Sequence, residues 1–122
     1  MVTSSVLLWK NVVEISHEVC KKYGLKYGRL LPETRKLARH YGECRPCERC
    51  YNSNAIDERN CNDKILSIRI HQLKNPQKAL ATSTILRTLA HELAHLREWN
   101  HGASHRAFVV EIVNYMRELG HM

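Results

Sequence analysis

The chain has 122 residues, 43% of them hydrophobic and 25% charged, and carries a formal net charge of +7. That length supports one small core and no second one, so residues 1–122 are expected to form a single domain. No run of 18 apolar residues occurs, and the first ten residues lack a charged start followed by a long apolar segment, so neither a membrane span nor a signal peptide is predicted and an intracellular protein, cytoplasmic or nuclear, is expected.

Residues 5–23 predict an amphipathic helix. Thr3, Ser4 and Ser5 offer an N-cap, Val6, Trp9, Val12, Val13, Val19 and Tyr23 make its apolar stripe, and Gly24 ends it. Cys20 falls near that stripe and reads as a packed thiol. A short strand is expected over 25–31, weakened by Gly28, and a half-exposed strand over 34–41, where Leu37, Arg39 and Tyr41 alternate with Lys36, Ala38 and His40.

Five cysteines, an odd number, suit metal ligation in a reducing compartment better than a disulfide framework. Four of them, Cys44, Cys47, Cys50 and Cys61, fall in a polar segment at about 42–63 that has little else to fold it. Thiolates two residues apart on a tight turn converge on one ion, and a loop of ten can return the fourth, so a structural zinc held by all four is expected, with an iron–sulfur cluster as the alternative. His40 or His71 could replace one cysteine. Residues 64–71 then alternate Leu66, Ile68 and Ile70 with Ile65, Ser67, Arg69 and His71, a half-buried strand that would close a hairpin with the cysteine cluster at its tip.

Residues 82–100 hold His91-Glu92-Leu93-Ala94-His95 on a helix whose other stripe, Ile85, Leu86, Leu89, Leu93 and Leu96, is apolar. At 3.6 residues per turn His91 and His95 lie one above the other and can reach one ion, with Glu92 beside them to address a water without ligating. His101 follows six residues after His95 and would complete three protein ligands, leaving the fourth position to water. A last helix is expected to close at Gly120, with Phe108, Ile112, Met116 and Leu119 on one face. Depending on whether Asn100 or Ser104 caps it, His101 or His105 begins it, and His105 is the alternative third ligand.

Between residues 21 and 49 nine basic side chains stand against three acidic ones, which favours a polyanionic partner, most simply nucleic acid, with DNA the first choice. Arg35, Lys36, Arg39, Arg45 and Arg49 are the candidate contacts.

The segment HELAHLREWNHGASHRAF, residues 91–108, resembles the SprT-like zinc metallopeptidases and their YgjP-type and WLM-type relatives, in which HExxH is followed by a third histidine and then an aromatic residue. Tyr41-Gly42-Glu43-Cys44 is similar to the W-G-S-C turn of the YgjP-type proteins, and ILSIRIHQLKNP to the strand and loop before the metal helix, so the likeness spans about residues 34–116. Two departures stand out. In the family the aromatic residue comes four after the third histidine, whereas Phe108 is seven after His101 and three after His105, and the cysteine cluster is an addition within the hairpin.

The resemblance implies a small zincin-like α+β domain with an N-terminal helix, a short antiparallel sheet and two further helices, acting as a zinc-dependent endopeptidase on proteins bound or crosslinked to DNA. In such folds the strand before the metal helix lies along the cleft, so the edge of residues 64–71 would pair with an extended substrate. Glu92 would act as general base on a water acidified by zinc, with Arg69, His71, His105 and Tyr115 as candidates to assist the carbonyl. A metal-dependent nuclease, and a nucleic-acid-binding zinc module with an inactive HExxH site, are the alternatives. Nothing in the sequence bears on oligomeric state.

Overall fold

The computed structural model describes residues 4–35, 41–52 and 58–122. In chain order these form helix α1 (Ser4–Tyr23), strands β1 (Arg29–Pro32) and β2 (Gly42–Arg45), the one-turn helix α2 (Glu48–Tyr51), a 3-10 turn at Glu58–Asn60, strand β3 (Ile65–Ile68), and helices α3 (Thr82–Ala94) and α4 (Ala103–Glu118). The class is α+β, as expected.

α1 ends where Gly24 takes φ 67°, a left-handed value that a side chain resists, and Leu25 N–H turns back to Cys20 O at 3.0 Å. α4 closes in the same way at Gly120, φ 85°, with His121 N–H on Met116 O. The buried face of α1 is Val12, Ile15, Ser16 and Val19; Val6, expected on it, is 59% exposed. Ser16 is tolerated there because its hydroxyl donates to Val13 O and meets Tyr27 Oη at 2.8 Å. Cys20 packs at the core margin, and burial pushes its thiol up to about 11.

The three strands are ordered β1-β3-β2, with β3 parallel to β1 and antiparallel to β2, so the sheet is mixed where an antiparallel one was expected. The central position of β3 explains why residues 64–71 are not half-exposed: Leu66 and Ile68 are fully buried on one face, and Ser67 and Arg69 are buried on the other. β1 begins four residues later than the expected strand over 25–31. Gly28 stands just before it, where its N–H meets Lys64 O at 2.8 Å and a Cβ would lie 2.7 Å from Asp63 O. The expected strand over 34–41 falls largely on residues 36–40, outside the described residues; Thr34, Arg35 and Tyr41 are not in a strand, and the pairing with β3 starts at Gly42. β2 therefore belongs to the sheet, and the cysteine segment beyond it starts at Pro46.

α3 is the central element, packed against α1, α4, β2 and β3. Ile85, Leu86, Leu89 and Leu93 are at most 2% exposed and meet Phe108, Ile112, Val113 and Met116 of α4 in one core. Truncating one such leucine to alanine costs about 2–5 kcal/mol, a large share of a small domain's stability. Among the described residues no helix is long and apolar enough to cross a membrane.

Candidate metal centre and cleft

The metal helix stops six residues short of its expected end at Asn100. After Ala94 the chain tightens through His95 N–H to Glu92 O, Leu96 N–H to Leu93 O and Arg97 N–H to Ala94 O, all three-residue bonds at 3.0–3.2 Å. This turn lets residues 96–102 double back, and Gly102, extended at φ −146°, starts α4. His101 thereby returns to the face that carries His91 and His95.

The Nε2 atoms of the three residues form a near-equilateral triangle: His91 to His95 3.2 Å, His91 to His101 3.2 Å and His95 to His101 3.0 Å. Tetrahedral zinc with Zn–N bonds of ~2.0–2.1 Å needs nitrogens ~3.3–3.4 Å apart, so the donor set fits that ion with little adjustment. Without a cation, three ring nitrogens at this spacing would repel or compete for the same protons. Burial and the neighbouring imidazoles keep His95 neutral, its pKa pushed down to about 4, and His91 is lowered for the same reasons. Neutral imidazole is the ligating form.

The ring of His95 is oriented from behind. Its Nδ1–H donates to Trp99 O at 2.8 Å and Glu98 O at 3.2 Å, which leaves the Nε2 lone pair for a metal. His105, the alternative third ligand, is placed elsewhere. It is buried in the first turn of α4, stacked on His95 at 4.1 Å, and its Nε2–H donates to His91 O at 3.0 Å. It holds two of the three histidines in place and has no nitrogen in the triangle.

The triangle opens on a cleft of about 450 Å³ lined by Gly42, Glu43, Cys44, Glu92 and Trp99 as well as the three histidines. Glu92 is 5% exposed, and burial, with the charge of Glu43 added, lifts its pKa to about 8. Its carboxylate lies flat against β2: a Cβ on Gly42 would be 3.0 Å from Glu92 Oε2. None of the four side chains expected to assist a substrate carbonyl lines the cleft. Arg69 is buried and donates to Arg35 O, His71 meets Ser5 Oγ, Tyr115 stacks edge-on against Tyr23, and His105 lies beneath His95. Gly42 and Trp99, to which the sequence assigned no role, are its walls instead. A glycine within a strand is the one signal that could have marked Gly42, as a site of close approach.

The four cysteines do not come together. Cys47, Cys50 and Cys61 have their sulfurs within 4.8 Å of one another, with Cys47 Sγ to Cys61 Sγ at 3.5 Å, and these three can hold a metal ion. Burial raises the Cys61 thiol, but the Cys47 N–H at 3.4 Å and the neighbouring thiols outweigh it and its pKa is lowered, whereas Cys50, which hydrogen-bonds to Cys61 and Cys47, is pushed up to about 12. Three sulfurs at this spacing suit a soft cation such as zinc. Cys44 is left out because of the sheet register. It is paired with Leu66 on β3, so its side chain shares the Leu66 face that packs on α3, and it lines the histidine cleft. Burial and the charge of Glu92 push its thiol up to about 12. His71 lies outside the three-cysteine group too, and His40 is outside the described residues.

The basic contacts expected for DNA are dispersed. Arg35 grips Glu33 through Nε and Nη2 at 2.8–2.9 Å and reaches Glu43 at 2.7 Å, while Arg45 meets Glu43 at 3.2 Å and Ser67 at 3.3 Å. Their charges are balanced locally. Arg49 is exposed on α2, and Lys36 and Arg39 lie outside the described residues.

No family model and no curated protein matches the chain. Two solved structures are similar to it in fold. Wss1 from Saccharomyces cerevisiae is 17% identical, with a TM-score of 0.70 over 95% of this chain and 81% of that one. A Wss1 mutant from the same yeast gives 16% identity and a TM-score of 0.70 over 95% and 82%. At such identity the likeness is one of fold.

Proposed function

We propose that this chain is a zinc-dependent endopeptidase of the HExxH type, with His91, His95 and His101 as ligands and Glu92 as general base. The observation that carries it is the Nε2 triangle with sides of 3.0–3.2 Å and the Glu92 carboxyl in the same cleft. The likeness in fold to Wss1 supports the WLM-type branch of the resemblance. When bound, zinc supplies Lewis-acid polarisation of the scissile carbonyl and acidifies the attacking water.

Glu92 takes the proton of that water as its oxygen adds to the carbonyl carbon. The same carboxyl then hands the proton to the leaving amine as the C–N bond breaks. Burial holds the Glu92 pKa near neutrality, where a carboxylate both accepts and returns a proton. His105 and the carbonyls of Glu98 and Trp99 fix the imidazole planes.

Substrate recognition shifts from β3 to β2. β3 is the central strand and has no free edge, whereas β2 pairs only with β3 among the described residues and contributes Gly42, Glu43 and Cys44 to the cleft. An extended peptide adding to the outer edge of β2 passes beside Glu92. Proteins bound or crosslinked to DNA are the substrate class we favour, on the family resemblance and the excess positive charge. A second zinc at Cys47, Cys50 and Cys61 would fold the segment 46–61.

The test is digestion of casein, of a DNA-binding protein with single-stranded DNA, and of labelled RNA, by wild-type protein and the Glu92→Gln variant loaded with zinc. Proteolysis lost by at least ~10²-fold in Glu92→Gln at unchanged zinc content is expected. Proteolysis retained by Glu92→Gln would reject the mechanism, and RNA cleavage alone would reject the peptidase.

A further inference from the structure

One buried cation takes no part in the chemistry of the cleft. Lys64, the residue before β3, is 4% exposed. Its backbone is fixed by the sheet, since its carbonyl accepts from Gly28 N–H at 2.8 Å and from Arg29 N–H at 3.3 Å at the start of β1. Its ammonium donates to Arg59 O at 2.9 Å and Cys61 O at 2.6 Å. Both acceptors are neutral, and a charge buried among neutral partners is costly unless a further group stabilises it.

Two groups can do so. The first is the cysteine group. Cys61 is one of the three residues whose sulfurs lie within 4.8 Å of one another, so the ammonium is bonded to the backbone of a residue that can ligate. A dication held by three thiolates carries one net negative charge, which offsets the ammonium. The second is the indole of Trp99, whose ring centroid is 5.5 Å from Lys64 Nζ. That lies within the ~6 Å range of cation–π attraction.

Trp99 belongs in turn to the histidine centre. Its carbonyl accepts the Nδ1–H of His95 at 2.8 Å, and its ring stands edge-on to the His95 ring at 6.3 Å. Trp99 and His95 line both the cleft and a hollow of about 380 Å³ behind it, so indole and imidazole form the partition between the two. Residues 98–100 lie outside every helix and strand, so the contacts of the Trp99 ring and carbonyl set where this partition stands. One set of contacts therefore runs from Cys61 O through the Lys64 ammonium and the indole to the Nδ1 atom of a metal ligand.

We infer that Lys64 is a positioning residue that couples the two metal-binding groups: with the cysteines loaded its ammonium holds the Trp99 indole, and the Trp99 carbonyl holds the His95 ring for the catalytic ion. The inference rests on both groups being metal sites, as proposed above, and not on proteolysis. Such coupling is reciprocal, so emptying the cysteines weakens the histidine centre by the factor by which emptying the histidines weakens the cysteine group. A brace that served the cysteine segment alone would leave the histidines unaffected.

The experiment is chelator competition on cobalt-loaded protein. Sulfur-to-cobalt charge transfer reports the cysteine group, and d–d absorption lost without it reports the histidines. We expect Cys47→Ser to weaken cobalt binding at the histidines by at least ~5-fold, the lower end of ordinary coupling between sites. Lys64→Met, similar in length but without the charge, should weaken it as much, and adding Cys47→Ser to Lys64→Met should change nothing more. A second readout uses Trp9→Phe/His101→Ala protein, in which Trp99 is the one indole left and the cysteines are the one metal group. Zinc added to it should shift the Trp99 emission, and Lys64→Met should abolish the shift. Should Lys64→Met melt early, Trp99→Leu at its half-buried position removes the ring and should likewise make the histidine centre indifferent to Cys47→Ser. Unchanged histidine affinity in Cys47→Ser overturns the inference, as does an undiminished loss on adding Cys47→Ser to Lys64→Met or Trp99→Leu. A wild-type protein without the sulfur-to-cobalt band overturns the cysteine reading and this inference with it. Absence of proteolysis with the coupling intact would overturn the enzyme reading alone.

Discussion

Gly42→Ala tests how the cleft is built. A methyl group at this position would lie 2.7 Å from Thr88 Cγ2, 3.0 Å from Glu92 Oε2 and 3.0 Å from Ser67 O. None of the three yields easily. Thr88 is β-branched and its hydroxyl is tied to Thr84 O at 2.9 Å, Ser67 O belongs to the central strand, and Glu92 is buried. Forcing one methyl into such a contact costs ~1–3 kcal/mol. For a chain of 122 residues, each kcal/mol moves the melting temperature by about 4 °C, so a fall of roughly 4–12 °C is expected in calorimetry. The same shift moves the Glu92 carboxyl off its position against β2, and a displacement of ~1 Å at a general base lowers turnover by up to ~10²-fold. Zinc content should stay unchanged, since the three atoms nearest a Cβ there belong to Thr88, Glu92 and Ser67, none of them a ligand. Gly102→Ser is the comparison: a Cβ there meets nothing within 4 Å and the hydroxyl can cap α4, so its melting temperature should not fall. Wild-type melting and turnover in Gly42→Ala would refute the close approach of β2 to α3 on which the reading of the cleft rests.

Cysteine variants should divide by position. Cys47→Ser, Cys50→Ser and Cys61→Ser are each expected to remove one metal equivalent by elemental analysis, whereas Cys44→Ser keeps both, and loss of the second metal in Cys44→Ser would reject the three-cysteine grouping. His101→Ala should release the other equivalent, while His105→Ala should keep it but bind it ~10–100-fold more weakly in chelator competition, because it orients His91 and His95 without ligating. Hydrogen bonds from Arg35 hold the Glu33 carboxyl down to about 2 from an ordinary value of 4.5. The stability it contributes is therefore complete above pH 4.5 and lost as pH falls from 4.5 towards 2, so thermal melts of Glu33→Gln should show a shallower decline over that window than wild type; equal slopes would count against the Arg35 contact.

What could be read from the sequence and what could not divide along the range of the contacts involved. The helices α1, α3 and α4 are legible because their apolar spacing is local, and the histidine pair is legible because one helical turn fixes residues four apart whatever surrounds them. His101 against His105 could not be decided locally, since the choice depends on where α3 stops, and Ala94 rather than Asn100 is its end because the return chain must bring an imidazole back to His91. The cysteines show the same limit in sharper form. Spacing alone makes Cys44 the natural partner of Cys47, and only the pairing of Cys44 with Leu66 across the sheet turns it toward α3 and away from the other three. The charge of the chain was likewise visible as a total, but its effective placement was not. Arg35 and Arg45 fall in the densest basic stretch and are spent on Glu33 and Glu43, whereas Lys26, Lys64 and Arg97, far apart in sequence, line one pocket that has no carboxylate in its lining among the described residues. A sequence reports how many charges a protein has; which of them remain available to a partner is decided by the carboxylates that the fold sets beside them.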